Sequence, residues 1–155
     1  MRTLLASLLF IPLLACSMNA PSDAAATGSS GATTPATPAA PGPVTVRLTQ
    51  RAATEGDATV TATGGAGTVT VRGSLSAPTP CHVLGGTAAR DGRTVTLTIA
   101  ARAGENACIQ SIGTLGYDAT LAGLEAGSYS LRVVYTYPGT GWDTQTAITQ
   151  DVQVR

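Results

Sequence analysis

The sequence predicts an all-β fold, an antiparallel sandwich of seven or eight short strands. Three observations predict it. From Val44 onward apolar residues recur at every second position, the mark of strands with one buried face. Turn-forming residues interrupt that alternation every eight to twelve positions. No stretch carries the 3.6-residue apolar period of an amphipathic helix.

The elements follow in order. "VTVRLTQ" sets Val44, Val46 and Leu48 on one face against Thr45, Arg47 and Thr49. "ATVTAT" continues with Ala58, Val60 and Ala62, and "TVTVRGSL", after the loop "GGAG", offers Val69, Val71 and Leu75. A strand over about 82–90 leads to "RDGR", where Asp91-Gly92 predicts a two-residue hairpin, because a type I′ turn needs positive φ at both central positions. "TVTLTIA" then turns Val95, Leu97 and Ile99 inward. "YDATL", "SYSLRVVYTY" and a last strand over about 144–154 complete the set, with Val152 and Val154 pairing the C-terminus into a sheet.

Short alternating strands at this spacing fit an Ig-like sandwich in the broad sense. One segment sharpens the reading. "LAGLEAGSYSLRV" places Leu121, Leu124, Gly127 and Tyr129 where fibronectin type III and related sandwiches turn between sheets, and the segment resembles that corner. The resemblance implies that the Tyr129 hydroxyl bonds back to the backbone and that the leucines plug the end of the core. A generic leucine-rich loop before a strand is the plainer alternative. A wider stretch, 73–133, with "GSLSAPTPCH" and "AC" at 107–108, resembles domains recurring in bacterial lipoproteins, from which no activity carries over.

The N-terminus speaks to location. Arg2 precedes an apolar run from Leu4 to Ala15, too short to cross a bilayer but suited to a secretory signal. The run ends "LLAC", which resembles the lipobox of bacterial lipoproteins. That resemblance implies cleavage after residue 15, a diacylglycerol on the Cys16 sulfur, and often an acylated new amine. Multiple acyl chains anchor stably, at about 0.8 kcal/mol per buried CH₂. Ser17 follows the cysteine; in a host with two membranes the family's sorting rules imply the outer membrane. Residues 17–43 are almost entirely Ala, Pro, Thr, Ser and Gly and lack the apolar weight to offset ordering entropy, so they predict a disordered tether of about 30 Å. The expected organisation is a leader (1–15), a lipidated cysteine with its spacer (16–43) and one domain (44–155).

Composition bounds the function. Past the leader, eight arginines stand against nine acidic residues, there is no lysine, and no basic stripe is interleaved with aromatics, so nucleic-acid binding has no support. Cys81 and Cys108 remain after lipidation as an even pair, and in an oxidising compartment a disulfide is the expectation, with two reactive thiols as the alternative. Antibody-type domains pack their disulfide on a tryptophan lying between the cysteines in sequence; here Trp142 follows both, so the domain is not of that type. His82 is the lone histidine and, beside two oxidised cysteines, falls short of a metal-ligand set. No Gly-x-Ser-x-Gly elbow occurs, and "GGAG" lacks the Lys and Ser/Thr of a phosphate loop. The expectation is no metal, no cofactor and no catalysis.

"YTYPGTGWD" holds three of the six aromatic residues around a Pro-Gly-Thr-Gly turn. Tyr137 and Trp142 at a hairpin tip would offer a ledge to a sugar or protein partner. The alternative is that the rings pack on each other and cover the end of the core. Taken together, the sequence predicts a lipid-anchored envelope protein carrying a non-catalytic binding or structural domain, with the membrane and an envelope protein or glycan as partners. Two rivals stand beside it: an accessory factor (inhibitor or assembly subunit) capturing a partner strand at a sheet edge, and, more remotely, a carboxylate-based hydrolase.

Overall fold

The computed structural model describes residues 43–155. The expected leader, Cys16 and the spacer through residue 42 lie outside the described residues. The described residues form eight strands: β1 (Thr45–Ala52), β2 (Thr61–Gly64), β3 (Thr68–Ala77), β4 (Val83–Asp91), β5 (Thr94–Arg102), β6 (Gly113–Ala122), β7 (Gly127–Thr136) and β8 (Gln145–Val154). A single 3₁₀ turn, Glu55–Asp57, lies between β1 and β2. The strands make two four-stranded sheets, ordered β1-β6-β3-β2 and β4-β5-β7-β8. The described residues thus form an all-β sandwich.

Period-two alternation supplies both inner faces. Val69, Val71 and Leu75 of β3 and Leu115, Tyr117, Ala119 and Leu121 of β6 are buried on one sheet; Val95, Leu97, Ile99 and Ala101 of β5 and Leu131, Val133 and Tyr135 of β7 are buried on the other. The intervening threonines, serines and arginines face outward or sit half-buried. The β-branched content of these strands suits a pleated surface with one face packed.

Three expectations need correction. Five of the six strand pairings are antiparallel, but β5 and β7 run parallel, with Thr94 opposite Ser130 and Ala100 opposite Thr136. The cause is parity. The chain leaves β5, crosses to β6 in the other sheet and returns as β7; two reversals bring it back in the original direction, so β7 can lie beside β5 only in parallel. The likeness to an immunoglobulin domain is therefore one of layers, not of strand order. Second, the hairpin turns at Gly92-Arg93, one residue later than Asp91-Gly92, since Asp91 pairs with Thr94. Gly92 takes the positive φ of 56°, and Arg93 is drawn into the turn by work elsewhere: its carbonyl accepts the Ser130 N–H (2.9 Å) and its guanidinium covers the Tyr129 ring. Third, β2 begins at Thr61, not at Ala58, because residues 53–60 are held over the sheet by Asp57, described below.

The two sheets are stitched together along both long seams. Gln50 of β1 reaches across to the start of β4, where its amide nitrogen donates to the His82 carbonyl (3.0 Å) and its oxygen accepts the Leu84 N–H (2.8 Å). At the opposite seam Gln150 of β8 donates to the Ala62 carbonyl of β2 (3.0 Å). There Gly64 lies so close to the Gln153 carbonyl that a Cβ would collide with it. The C-terminal Arg155 closes the seam, its N–H on Gly65 and its carbonyl accepting from Gly67.

One polar device sits inside the core. The Tyr135 hydroxyl donates to the Ser74 carbonyl (3.0 Å), and the Tyr117 and Tyr135 hydroxyls are 2.9 Å apart. Tyr135 has one proton and spends it on Ser74, so Tyr117 is the donor in the pair. Burial pushes both phenols above their ordinary range. The asymmetry is measurable. Tyr135→Phe strands the Tyr117 proton and the Ser74 carbonyl and is expected to cost about 1–3 kcal/mol, whereas Tyr117→Phe removes one donor and should cost about 0.5–1.5 kcal/mol. Urea unfolding of the two variants tests this; equal losses would refute the donor order.

Candidate functional site

The sandwich has two unlike poles. Pairing of Ala52 with Leu115, Ala77 with Gly113, Val83 with Arg102, Ala100 with Thr136 and Tyr135 with Gln145 brings the ends of β1, β3, β5 and β7 together with the starts of β4, β6 and β8. The connections at that pole are 53–60, 78–82, 103–112 and 137–144. At the other pole the connections are the tight turns 65–67, 92–93 and 123–126. The chain also enters and leaves there: Pro43 lies against Gly123, and Arg155 is bonded to Gly65 and Gly67. The first is the loop pole, the second the turn pole. Long connections set on a rigid scaffold are where binding residues collect.

Cys81 and Cys108 are bonded, with Cα atoms 6.0 Å apart, inside the range a disulfide spans. The bond ties 78–82 to 103–112. These loops also touch backbone to backbone, Gly104 lying against the Cys81 carbonyl where any Cβ would clash. Beside the bond is an open groove of about 520 Å³ lined by Cys81, Val83, Arg102, Gly104, Glu105 and Asn106 among others. Val83 (58% exposed), Ile109 (69%) and Ile112 (69%) stand out in solvent on the same two loops or at the strand they feed. These are the large apolar side chains that the described residues leave exposed, and all belong to the loop pole.

His82, next to the disulfide, is buried. Its Nδ1 lies 2.9 Å from the Thr79 hydroxyl and 3.1 Å from the Thr79 carbonyl, while Nε2 has no hydrogen-bond partner among the described residues. Among the described residues no three His, Cys, Asp or Glu side chains converge as a metal-ligand cluster.

At 137–144 the chain makes a turn with Pro138 and Gly139 at its centre, Gly139 at φ 76°, closed by the Thr140 N–H on the Tyr137 carbonyl (3.2 Å). The Thr140 hydroxyl donates to the same carbonyl (2.9 Å) and accepts the Trp142 N–H (3.1 Å). The Tyr137 and Trp142 rings meet edge-on, centroids 5.2 Å apart, a contact worth about 0.5–1.5 kcal/mol beyond area burial. Tyr137 is 5% exposed and Trp142 half-buried against the core. The two-ring ledge is therefore not formed: Tyr137 is committed to the fold, and of the two rings only part of Trp142 faces outward, beside the exposed Pro138, Gly139, Gly141, Asp143 and Thr144.

The corner residues lie at the turn pole. Leu121, Leu124 and Tyr129 are buried and Gly127 has φ 143°. The hydroxyl-to-backbone bond implied for Tyr129 is not formed among the described residues. Its ring is covered instead by the Arg93 guanidinium, 5.1 Å from the centroid, a cation–π contact; Gly127 gives that guanidinium room.

One cluster could not be read from the chain. Arg51 makes a fork on Asp57, Nη1 to Oδ2 at 2.5 Å and Nη2 to Oδ1 at 2.7 Å, and its Nε reaches Asp118 at 2.7 Å. Arg72 adds a bond to Asp57 (3.2 Å), and Thr54 gives Asp57 both its N–H and its hydroxyl (2.7 Å each). Asp57 is 1% exposed. The Arg51 fork, then the Thr54 hydroxyl, hold its carboxyl well below the usual carboxylate range, and the bonds to Asp57 and then to Asp118 raise Arg51 further. The cluster pins 53–60 across β1, β6 and β3. Both acids are engaged by arginine.

Residues 69–145 match the family model described as the ORF11 beta-sandwich domain. No curated protein and no solved structure matches the chain. The matched span runs from within β3 to the first residue of β8 and takes in the disulfide, the groove and three of the four connections of the loop pole. Over that span the chain is similar to the ORF11 beta-sandwich domain family.

Proposed function

We propose that the chain is a lipid-anchored protein of the bacterial cell envelope whose β-sandwich binds an envelope protein or glycan, without catalysis, through its loop pole. The observation that carries the reading is the polarity of the sandwich. Chain entry and tight turns share one pole, and the long connections, the groove and the exposed Val83, Ile109 and Ile112 share the other. A domain tethered from Cys16 would offer the loop pole to whatever lies beyond the membrane surface. The "LLAC" run supports the anchor. Strand capture at an edge is less favoured, since Gln50 and Gln150 occupy backbone groups along the two seams.

Anchor and surface are tested separately. Cys16→Ala is expected to leave an unprocessed or mislocalised chain without incorporated fatty acid; an unlabelled native protein would remove the anchor. Ile109→Ser with Ile112→Ser is expected to abolish in-cell cross-links to a partner while leaving the melting temperature unchanged, since both side chains are exposed. Retained cross-links would move the binding surface elsewhere.

A further inference from the structure

We propose that Cys81–Cys108 is a thiol-exchange site, opened through the groove at the loop pole by a dithiol reductant, and that its reduction releases 103–112 while the sandwich stays folded. Two observations carry this. The bond is reachable: Cys81 lines the groove and neither cysteine is buried. Arg102 and Glu105 both flank the approach, so an incoming thiolate meets a cation as well as an anion. The bond is also the principal tie of its loop. Among the described residues the backbone hydrogen bond made between β5 and β6 is a local one, Ser111 N–H to the Ile109 carbonyl (3.0 Å), and Ile109 and Ile112 reach solvent instead of the core. The strands on either side hold by their own ladders, Val83–Asp91 on Thr94–Arg102 and Gly113–Ala122 on β1 and β3.

The exchange balances without further reagents. A thiolate of the dithiol attacks the Cys81 sulfur from the groove; the sulfur–sulfur bond breaks and its electron pair leaves on Cys108, which takes up a proton. The second thiol of the reductant, deprotonated, attacks its own sulfur in the mixed disulfide and expels Cys81 as the second thiol. The reductant is oxidised to a disulfide, and the protein gains two thiols. The apolar surface formed by 103–112 then changes with the redox state of the bond, which makes the site a control on the loop pole independent of how the chain is anchored.

The test uses the folded chain with dithiothreitol as the reductant. In native buffer the bond should open at a rate first order in dithiothreitol, with β-structure retained and hydrogen exchange rising in 103–112 alone. In the variants Cys16→Ala/Cys108→Ala and Cys16→Ala/Cys81→Ala, each with one cysteine left, Cys81 should react with an aromatic disulfide reagent about tenfold faster than Cys108, access being one determinant of exchange rate. Reduction that proceeds only as fast as the whole domain unfolds would overturn the proposal. So would protection lost throughout both sheets on reduction, or equal reactivity of the two cysteines.

Discussion

Replacing Cys81 and Cys108 together by serine is expected to lower the unfolding free energy by about 3.5 kcal/mol, the chain-entropy value for a closed loop of this length. The loop runs from 81 to 108 and contains the whole β4–β5 hairpin. In the folded state the change is small, because both cysteines are only half-buried, in connections outside the strands, and the hairpin keeps its ladder. The effect therefore acts chiefly on the unfolded chain, which gains the freedom to separate the two residues. That origin has a signature. The urea midpoint should fall, and the m-value should rise because the unlinked chain exposes more surface. A loss well under 1 kcal/mol would mean that the reduced chain stays compact around this hairpin. An unaltered m-value with a large loss would instead put the effect in the folded state, as strain or broken packing between 78–82 and 103–112. A domain of ordinary stability, about 5–15 kcal/mol, tolerates the expected loss. That is why the same bond can be opened without unfolding the sandwich.

The fold was legible because alternation is local. Val95, Leu97 and Ile99 declare an inward face without reference to any other strand, and each is buried where the alternation put it. Sheet order is not local. Nothing in "TVTLTIA" or "SYSLRVV" says that these strands would lie side by side, or in parallel; that follows from β6 being placed in the opposite sheet. The disulfide was readable for the opposite reason, since an even pair of cysteines, if the chain is exported as its N-terminal run predicts, leaves few alternatives. The Arg51–Asp57–Asp118–Arg72 cluster was not. Its members are 6 to 67 positions apart, and only the register of β1, β6 and β3 brings them together. A faint signal existed: Arg51, Arg72 and Asp118 fall at outward positions of three strands, but any outward position of a soluble strand is a fair place for a charge. Tyr137 and Trp142 were placed in contact by the intervening turn, yet which ring would be withdrawn depends on the end of the core beneath them.

Asp57→Asn is expected to destabilise the domain at pH 7 by several degrees in melting temperature, and to reduce its sensitivity to acid. The carboxylate accepts from Arg51 twice, from Thr54 twice and from Arg72, and almost none of it reaches water. The neutral amide has one oxygen in place of two and presents N–H groups to arginine donors, so the fork is broken and the Arg51 charge loses its nearer partner. Segment 53–60 then loses its anchor on β1 and β3, and with it the seat of Ser74 Oγ, which donates to the Asp57 carbonyl (3.1 Å). The acid dependence follows from the direction of the shift. Folding holds this carboxyl below its ordinary value of 3.8, so the unfolded chain binds the proton more readily than the folded one. The stability the carboxylate contributes is therefore complete above the unfolded value and drains away as the pH falls from about 4 toward the lower, folded value. Wild-type melting temperature should decline through that window, while the asparagine variant, with nothing to protonate at this position, should decline less. The two curves should draw together as the pH falls below about 4 without meeting by pH 2, where the unfolded carboxyl is protonated but the folded one, held well below the usual range, is not. Thermal unfolding at intervals from pH 7 to pH 2 measures this directly. Parallel curves, separated by the same interval at every pH, would show that Asp57 acts through shape alone and not through its charge. A second comparison isolates the fork: Arg51→Lys keeps the positive charge but cannot place two parallel N–H groups on the carboxylate while reaching Asp118 with a third. If geometry matters as much as charge, the lysine variant should recover the acid limb of the curve but not the full melting temperature at pH 7.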